Sequence, residues 1–359
     1  MNKSEQILFL ELCNFMNPNK EKIEKLLTDN ATPCVLGHIF FNRMQSIVYG
    51  TLNEVGLLGK ASREFRNSLD NAHQVNIYKN KSFYKCVQMV SEILKDFKGK
   101  YAMLKGALLC GIYPEGYRTS NDIDLLVNPK YISCIGNNLI KAGFKHGYIK
   151  NNIFIPATRF EIIESKMTRG ETVPYILEVN LPYMKFLEVD INFSLDYKNN
   201  EGSVANTLLS RTVEARINDA DIISLCEADF FIHLCSHLYK EATTFPWIQM
   251  NRDMTLYKFC DIYLLLNKMT YADVENMFKY AYELNMDDIC GCVILWTSEF
   301  FKISDDRIIC LAKEKLKCKE NILHQVIVPS PKKHLVYSET NIRDRFFADN
   351  RIALLKEEI

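Results

Sequence analysis

The feature that most constrains this chain is an acidic and apolar run at residues 121–127, NDIDLLV. Successive side chains of a β-strand point to opposite faces, so Asp122 and Asp124 share one face, while Ile123 and Leu125 share the other. Two carboxylates one pleat apart repel each other unless a positive charge neutralises them, and a divalent cation does so directly. The run therefore predicts a strand with a buried apolar face and a cation site on its polar face.

The spacing of these two aspartates is weak evidence alone, because Asp219 and Asp221 repeat it elsewhere in the chain. The second pair lies in the run INDADIISL, which is expected to open a helix, where acidic side chains interact favourably with the helix dipole. We interpret that pair as structural. The first pair differs in its surroundings, since a Ser-Asn turn precedes it, an apolar strand follows it and a Lys-Gly turn lies upstream.

That upstream turn, Leu104-Lys105-Gly106, is predicted to face a phosphate. It ends a short predicted strand and opens a short predicted helix, where a glycine lets the backbone approach a phosphate and free N–H groups can donate to it. Lys105 adds a positive charge, and Arg118 and Ser120 lie in the following loop, within reach of phosphate oxygens. Both cations have a structural alternative: lysines are common at strand ends, and Arg118 can pair with a nearby acid.

A third carboxylate, Asp190, is predicted to complete the site. It lies in the run FLEVDINFSL, in which apolar and polar residues alternate, so it belongs to the polar face of a strand. Two-metal transfer chemistry requires one acid that binds a metal and orients or deprotonates the attacking hydroxyl. Glu178 and Glu188 compete for this role, and an ordinary exposed strand acid is the structural alternative.

Together these segments resemble the polymerase-β-like nucleotidyltransferase superfamily. Its pattern is a glycine-containing turn after a hydrophobic residue, then a loop, then two acids alternating with hydrophobic residues on a strand, then a later strand with a third acid. Residues 104–106, 122–125 and 189–191 fill these positions. The run KG…YP…R.S.DIDLLV is similar to a branch of uncharacterised nucleotidyltransferases in which Lys-Gly replaces the commoner Gly-Ser. The resemblance covers roughly residues 100–195.

The resemblance implies an enzyme that uses Mg²⁺ (or Mn²⁺) to move a nucleoside monophosphate from a nucleoside triphosphate, ATP being the expected donor, to an unidentified acceptor. Asp122, Asp124 and Asp190 would bind the metal and carry the catalysis. The nucleotide would be bound by Lys105, Gly106, Arg118, Ser120 and Asn121. The serine that commonly follows the motif glycine is Ala107 here. Its phosphate contact is therefore absent, or is supplied by Lys105 or Ser120.

The whole sequence predicts an α+β fold, with a small mixed β-sheet nucleotidyltransferase core flanked by N-terminal and C-terminal helical regions. The helical regions are residues 1–99 and 201–328, the core is residues 100–200, and a tail follows at 329–359. A polar linker is expected at residues 199–203. Further strands of the core are predicted in the runs GYIKNNIFI, RFEIIES, VPYILEVN and FLEVDINFSL.

Composition limits the partners and the compartment. The chain has 44 basic and 44 acidic residues, and without net charge a nucleic-acid acceptor is less expected than a small molecule or a protein. No apolar run approaches the roughly 20 residues of a membrane span, and the N-terminus lacks the apolar stretch of a signal peptide. The 12 cysteines include no CxxC pair and are expected to be reduced. A cytoplasmic protein without a membrane partner is predicted.

Three alternatives stay open from the sequence. The chain could be a catalytically inactive nucleotidyltransferase fold that acts as a binding or antitoxin-like protein, although three retained acids argue against this. A kinase-like phosphotransferase would deliver the γ-phosphate instead, but no P-loop or kinase motif is present. His233 and His237 share one helix face and, with Asp253 or Asp261, have the spacing of a metal site. Core histidines hydrogen-bonded to acids are the favoured interpretation of that pair.

Overall fold

The computed structural model describes residues 1–168, 170–195, 203–316, 320–328, 334–339 and 341–358. The chain divides into two compact units. The first contains Met1–Ala72 and Phe231–Ile359, and the second contains His73–Phe230. Except for Ser203, the linker predicted at residues 199–203 lies outside the described residues.

The first unit begins with helices whose starts are marked by capping side chains. They are α1 (Lys3–Cys13), α2 (Lys20–Asn30), α3 (Pro33–Phe41) and α4 (Gln45–Glu54). The side chains of Asn2, Asn19 and Thr32 each accept a hydrogen bond from the backbone N–H three residues later. Each cap thereby satisfies one of the donors that a helix start leaves free. The long helix α5 (Arg63–Leu94) follows, and its residues from His73 onward belong to the second unit.

The second unit alternates strands with short helices. In chain order its elements are β1 (Tyr101–Met103), α6 (Gly106–Ile112), β2 (Asp122–Val127), α7 (Ile132–Lys141), β3 (Lys145–Lys150), β4 (Ile153–Pro156), α8 (Arg159–Thr168), β5 (Tyr175–Leu181), β6 (Met184–Asn192), α9 (Ser203–Ser210), β7 (Thr212–Ile217) and β8 (Ala220–Leu225). The described strands form one mixed sheet of eight, in the order β4-β3-β5-β6-β2-β1-β8-β7. Within it β2 runs parallel to β6, and β1 runs parallel to β8.

This sheet is larger than the small sheet that the sequence predicts, because a hairpin extends each edge. The hairpin β3–β4 forms one edge and β7–β8 forms the other. The run INDADIISL, predicted to open a helix, instead provides the turn and the second strand of β7–β8. That prediction is wrong because Asn218 adopts a φ of 52°, a left-handed value that asparagine tolerates in turns.

Helix α8 is a second difference, since its run RFEIIES is predicted to be a strand. Thr158 and Glu161 cap this helix reciprocally. The Thr158 N–H donates to Glu161 Oε2 at 2.7 Å, and the Glu161 N–H donates to Thr158 Oγ1 at 3.3 Å. The Thr-x-x-Glu spacing of this capping box is legible in the sequence. The apolar spacing of so short a run does not distinguish a helix from a strand.

The apolar core of the second unit covers one face of the sheet. Ile123 and Leu125 of β2, like Val189 and Ile191 of β6, are completely buried, and they pack with apolar side chains of α5 and α7. Burial of each such side chain contributes about 1.5–3 kcal/mol. Because side chains alternate along a strand, this packing turns the polar residues of β2 and β6 toward the opposite face.

Helix α10 (Glu227–Thr243) leads back into the first unit. The further described elements of that unit are α11 (Phe245–Gln249), α12 (Leu256–Leu266), α13 (Tyr271–Glu283), α14 (Asp287–Ser298), α15 (Asp306–Leu316), β9 (Gln325–Val326), β10 (Leu335–Tyr337), α16 (Ile342–Phe347) and β11 (Leu355–Glu357). Strands β9 and β11 both pair with β10. Among the described residues, none of the helices combines the length and the apolar character that crossing a membrane requires.

Candidate active site

The register of β2 against β6 brings the predicted acids together. Asp124 lies directly opposite Asp190, and Asp122 lies opposite Glu188. Paired residues of adjacent strands point to the same face, so these four described carboxyl groups share the face that the apolar core leaves uncovered. They form the cluster that we call the carboxylate cluster: Asp122, Asp124, Glu188 and Asp190.

Of the two rivals to Asp190, the structure brings Glu188 into this cluster and leaves Glu178 outside. The Glu178 side chain is 54% exposed on β5 and lies 3.9 Å from Lys185. Glu188 shares the polar face of β6 with Asp190 and Asn192. The alternation that reveals Asp190 in the sequence also marks Glu188 and Asn192, whereas only the register identifies their neighbours on β2.

The Lys105 ammonium contacts the carboxylate cluster at Asp124. Its Nζ donates to Asp124 Oδ1 at 3.0 Å, and the Asn192 side-chain amide donates to the same oxygen at 3.2 Å. The side chains of Lys105 and Asp124 are 22% and 7% exposed. The backbone N–H of Leu104 donates to the Asp124 carbonyl at 2.9 Å. This hydrogen bond at the end of β1 places the next residue, Lys105, beside Asp124.

The backbone of Lys105 is strained. Its φ of 44° and ψ of −112° lie where residues with a Cβ are uncommon. Such a conformation persists only where the surrounding structure enforces it, and it is concentrated at functional sites. Lys105 directly precedes α6, so this conformation sets the direction in which the predicted phosphate turn begins.

Gly106 is packed against Ser120. A Cβ placed on Gly106 would lie 2.4 Å from Ser120 Oγ, so only glycine fits without displacing the serine. The same Ser120 hydroxyl donates to Asp122 Oδ1 at 2.7 Å. Ala107 is completely buried in the core, and Ser120 therefore supplies a hydroxyl group beside the turn where Ala107 offers none.

Arg118 and Asn121 lie in the loop before β2. The Arg118 guanidinium donates to the Thr119 carbonyl at 2.5 Å, and its charge is one of the causes that lower the pKa of Asp122. Asn121 is exposed and immediately precedes Asp122. The loop thus places one cation within electrostatic reach of the carboxylate cluster.

The carboxyl groups of the cluster differ in acidity. Burial, followed by the charges of Asp124 and Glu188, raises the pKa of Asp190 well above its ordinary value. Burial, followed by the charges of Asp122 and Asp124, raises the pKa of Glu188 to about 7.

On β2, burial raises the pKa of Asp124 despite the opposing charge of Lys105. Burial also acts to raise the pKa of Asp122, but the Lys105 charge, the Ser120 hydrogen bond and the Arg118 charge outweigh it and lower that pKa. Three of the four carboxyl groups therefore have a raised pKa, and Asp122 has a lowered pKa.

The donor set suits a hard divalent cation. Mg²⁺ and Mn²⁺ prefer carboxylate oxygens, and β2 and β6 provide four of these groups on one face. In the described part of the chain, no three histidine, cysteine or acidic side chains are grouped closely enough to hold a metal ion as they stand. At Asp124 the Lys105 ammonium donates a hydrogen bond to the carboxylate.

Glu171 is a site residue that the sequence does not reveal. It pairs with Asn192 through an isolated β-bridge, and its charge contributes to the raised pKa of both Glu188 and Asp190. It precedes β5 in a stretch without alternation, so no sequence pattern marks it.

One histidine of the α10 pair, His237, contacts a carboxylate in the first unit. His237 Nε2 lies 3.3 Å from Glu241, which also pairs with Lys258. Asp253 is completely buried and forms an ion pair with Arg351. No metal-binding group is found there among the described residues.

Comparison with known proteins identifies one family. The sequence profile of the family described as "Uncharacterised nucleotidyltransferase" matches residues 30–302, which is more than half of the chain and includes the whole carboxylate cluster. No curated protein matches the chain. Among solved structures, it is similar to an antigenic nucleotidyltransferase-like protein from Paracoccidioides brasiliensis, with 13% identity and a TM-score of 0.35. That similarity covers 57% of this chain and 90% of the other.

Proposed function

This chain belongs to the uncharacterised nucleotidyltransferase family, and we propose that it transfers a nucleoside monophosphate from a nucleoside triphosphate to an acceptor, with release of pyrophosphate. ATP is the proposed donor, and a small molecule or a protein is the proposed acceptor. The observation that carries the proposal is the parallel register that sets Asp124 opposite Asp190. It supports a shared cation site, because strands far apart in sequence contribute carboxylates to one face.

Asp122, Asp124 and Asp190 are the proposed ligands of Mg²⁺ or Mn²⁺. When bound, such an ion supplies positive charge that offsets the charge of the triphosphate and of the leaving pyrophosphate. The residues of the chain contribute position and proton transfer. Ser120 orients Asp122 through its 2.7 Å hydrogen bond, and Asn192 orients Asp124 at 3.2 Å.

Asp190 is the proposed base. It accepts the proton of the acceptor hydroxyl while the acceptor oxygen bonds to the α-phosphorus and the bond from that phosphorus to the β-phosphate bridging oxygen breaks. A base must lie within reach of the proton that it takes, and the position of Asp190 opposite Asp124 on the polar face of β6 supports this assignment. Lys105, Arg118, Ser120, Asn121 and the backbone of Gly106 are the proposed triphosphate contacts.

The test is transfer of label from each α-labelled nucleoside triphosphate, with Mg²⁺ and a cell extract as the source of acceptor. We expect a labelled product and pyrophosphate from the wild type, and loss of both in Asp124→Asn and Asp190→Asn. The matched control is Asp221→Asn, because Asp221 has the same Asp-x-Asp spacing but a side chain that is 82% exposed. Transfer that survives in Asp124→Asn would refute the assignment.

The products also separate the alternatives. Release of a nucleoside diphosphate in place of pyrophosphate would identify a phosphotransferase. If calorimetry detects no Mg²⁺-dependent binding of any nucleoside triphosphate, the chain is an inactive fold with a binding or antitoxin-like role.

A further inference from the structure

We infer that Lys105 is a resident cation of the carboxylate cluster, and that a metal ion enters the cluster only when a nucleotide draws the Lys105 ammonium away from Asp124. The inference rests on the proposed function and concerns the order of binding at the same site. It makes metal binding and nucleotide binding interdependent through one side chain.

The contact geometry is the first observation. The Lys105 ammonium and the Asn192 amide both donate to Asp124 Oδ1, at 3.0 and 3.2 Å. The Asp124 side chain is only 7% exposed, so solvent does not compete for it. A metal ion that binds Oδ1 must therefore displace Lys105, and one that binds Oδ2 of the same carboxylate would be repelled by the adjacent Lys105 ammonium.

The negative charge of the carboxylate cluster explains why the Lys105 ammonium contacts Asp124. Four carboxyl groups share one face of β2 and β6, and the Lys105 ammonium forms an ion pair with Asp124. Without it, the buried Asp124 carboxylate would lose this counter-charge, which is destabilising. Lys105 thus supplies at Asp124 a positive charge of the kind that a bound divalent cation would supply.

The backbone of Lys105 supports the same assignment. Its positive φ of 44° would be unstrained for glycine, yet the position carries a lysine whose side chain reaches Asp124. Strain of this kind at a site favours a functional reason for the side chain.

A nucleotide provides the alternative partner for Lys105. An ammonium on a flexible four-carbon stem binds phosphate oxygens as a point charge. Lys105 directly precedes Gly106, the proposed phosphate turn, and its side chain is 22% exposed. Rotation toward a triphosphate would leave Asp124 open, so each ligand increases the affinity for the other by the same factor.

The experiment measures Mn²⁺ binding to the full chain by electron paramagnetic resonance, with and without a non-hydrolysable α,β-methylene analogue of ATP. We expect the wild type to bind Mn²⁺ weakly alone and about tenfold more tightly with the analogue, a coupling of ordinary size. Lys105→Met should bind Mn²⁺ about tenfold more tightly than the wild type without nucleotide, and should lose most of the gain from the analogue.

Two further variants test whether the change in Mn²⁺ affinity comes from the loss of the Lys105 charge. Lys105→Gly removes the charge and the backbone strain together, so it must change nucleotide-free Mn²⁺ affinity in the same direction even if Lys105→Met folds poorly. Lys185→Met is the matched control. Lys185 is 44% exposed and lies 3.9 Å from Glu178, outside the carboxylate cluster. The control should behave as the wild type does.

The outcomes separate this inference from the proposed function. If Lys105→Met and Lys105→Gly bind nucleotide-free Mn²⁺ no more tightly than the wild type, while Asp124→Asn abolishes binding with the analogue, the metal site stands and the role of Lys105 is refuted. If the wild type and both variants fail to bind Mn²⁺ even with the analogue, the proposed function fails and the inference fails with it.

Discussion

Replacement of Gly106 by alanine tests whether the turn and the carboxylate cluster are packed as described. The added Cβ would lie 2.4 Å from Ser120 Oγ and 2.5 Å from Ser120 Cβ, about 1 Å inside the ~3.5 Å of an ordinary contact. Ser120 must therefore move, and its 2.7 Å hydrogen bond to Asp122 breaks.

The expected cost follows from these two effects. Overpacking costs about 1–3 kcal/mol, and loss of a hydrogen bond to a charged group costs about 1.5–3 kcal/mol. Because displacement of Ser120 relieves part of the clash, we expect Gly106→Ala to lower the free energy of unfolding by about 2–4 kcal/mol. A 1 Å displacement at a catalytic site slows the reaction about 100-fold.

The assay combines urea unfolding followed by circular dichroism with the label-transfer rate. Gly37→Ala in α3 is the matched control, because a Cβ there meets nothing within 4 Å, and alanine favours a helix by about 0.5–1 kcal/mol. The double variant Gly106→Ala/Ser120→Gly should recover only the part of the stability that is lost to overpacking, and it should not recover the rate, since the hydroxyl that binds Asp122 is gone. A Gly106→Ala protein with wild-type stability and rate would refute the reasoning.

Three further predictions concern stability. Asp253→Ala leaves the buried Arg351 guanidinium without its partner, so the free energy of unfolding should fall by about 3–5 kcal/mol in urea titration; an unchanged midpoint would contradict this. Thr270→Ala removes the reciprocal cap between Thr270 and Asp273, which should cost about 1 kcal/mol by the same measurement. Burial and the neighbouring acids raise the pKa of Glu188 from 4.5 to about 7, so its folded form binds a proton that its unfolded form has lost. Metal-free protein should therefore lose up to about 3 kcal/mol as pH rises from 4.5 to 7. Glu188→Gln should flatten this pH dependence, and an equally steep profile in that variant would exclude Glu188 as its origin.

The sequence predicts a strand or a helix correctly where the residue types and their spacing both indicate the same element. Residues 122–125 alternate between acidic and apolar, two further apolar residues follow, and the structure forms β2 over residues 122–127. The short run of α8 misleads because its apolar spacing fits both a helix and a strand, although Thr158 and Glu161 mark the helix start. The turn at Asn218 misleads because two acids in sequence resemble the first turn of a helix.

The sequence by itself determines which side chains of a strand share a face, and so it places Asp122 with Asp124. It cannot determine which residue of β6 lies opposite each of them, because a shift of one residue in register would turn the polar face of β6 toward the core. Only the tertiary structure sets Asp124 opposite Asp190, adds Glu188 opposite Asp122 and brings the Lys105 ammonium to Asp124. The physical reason is that burial of Val189 and Ile191 against the core fixes only which face of β6 carries the acids. A shift by two residues would keep that face, so the partner of each acid depends on how the neighbouring strands pack in the folded sheet.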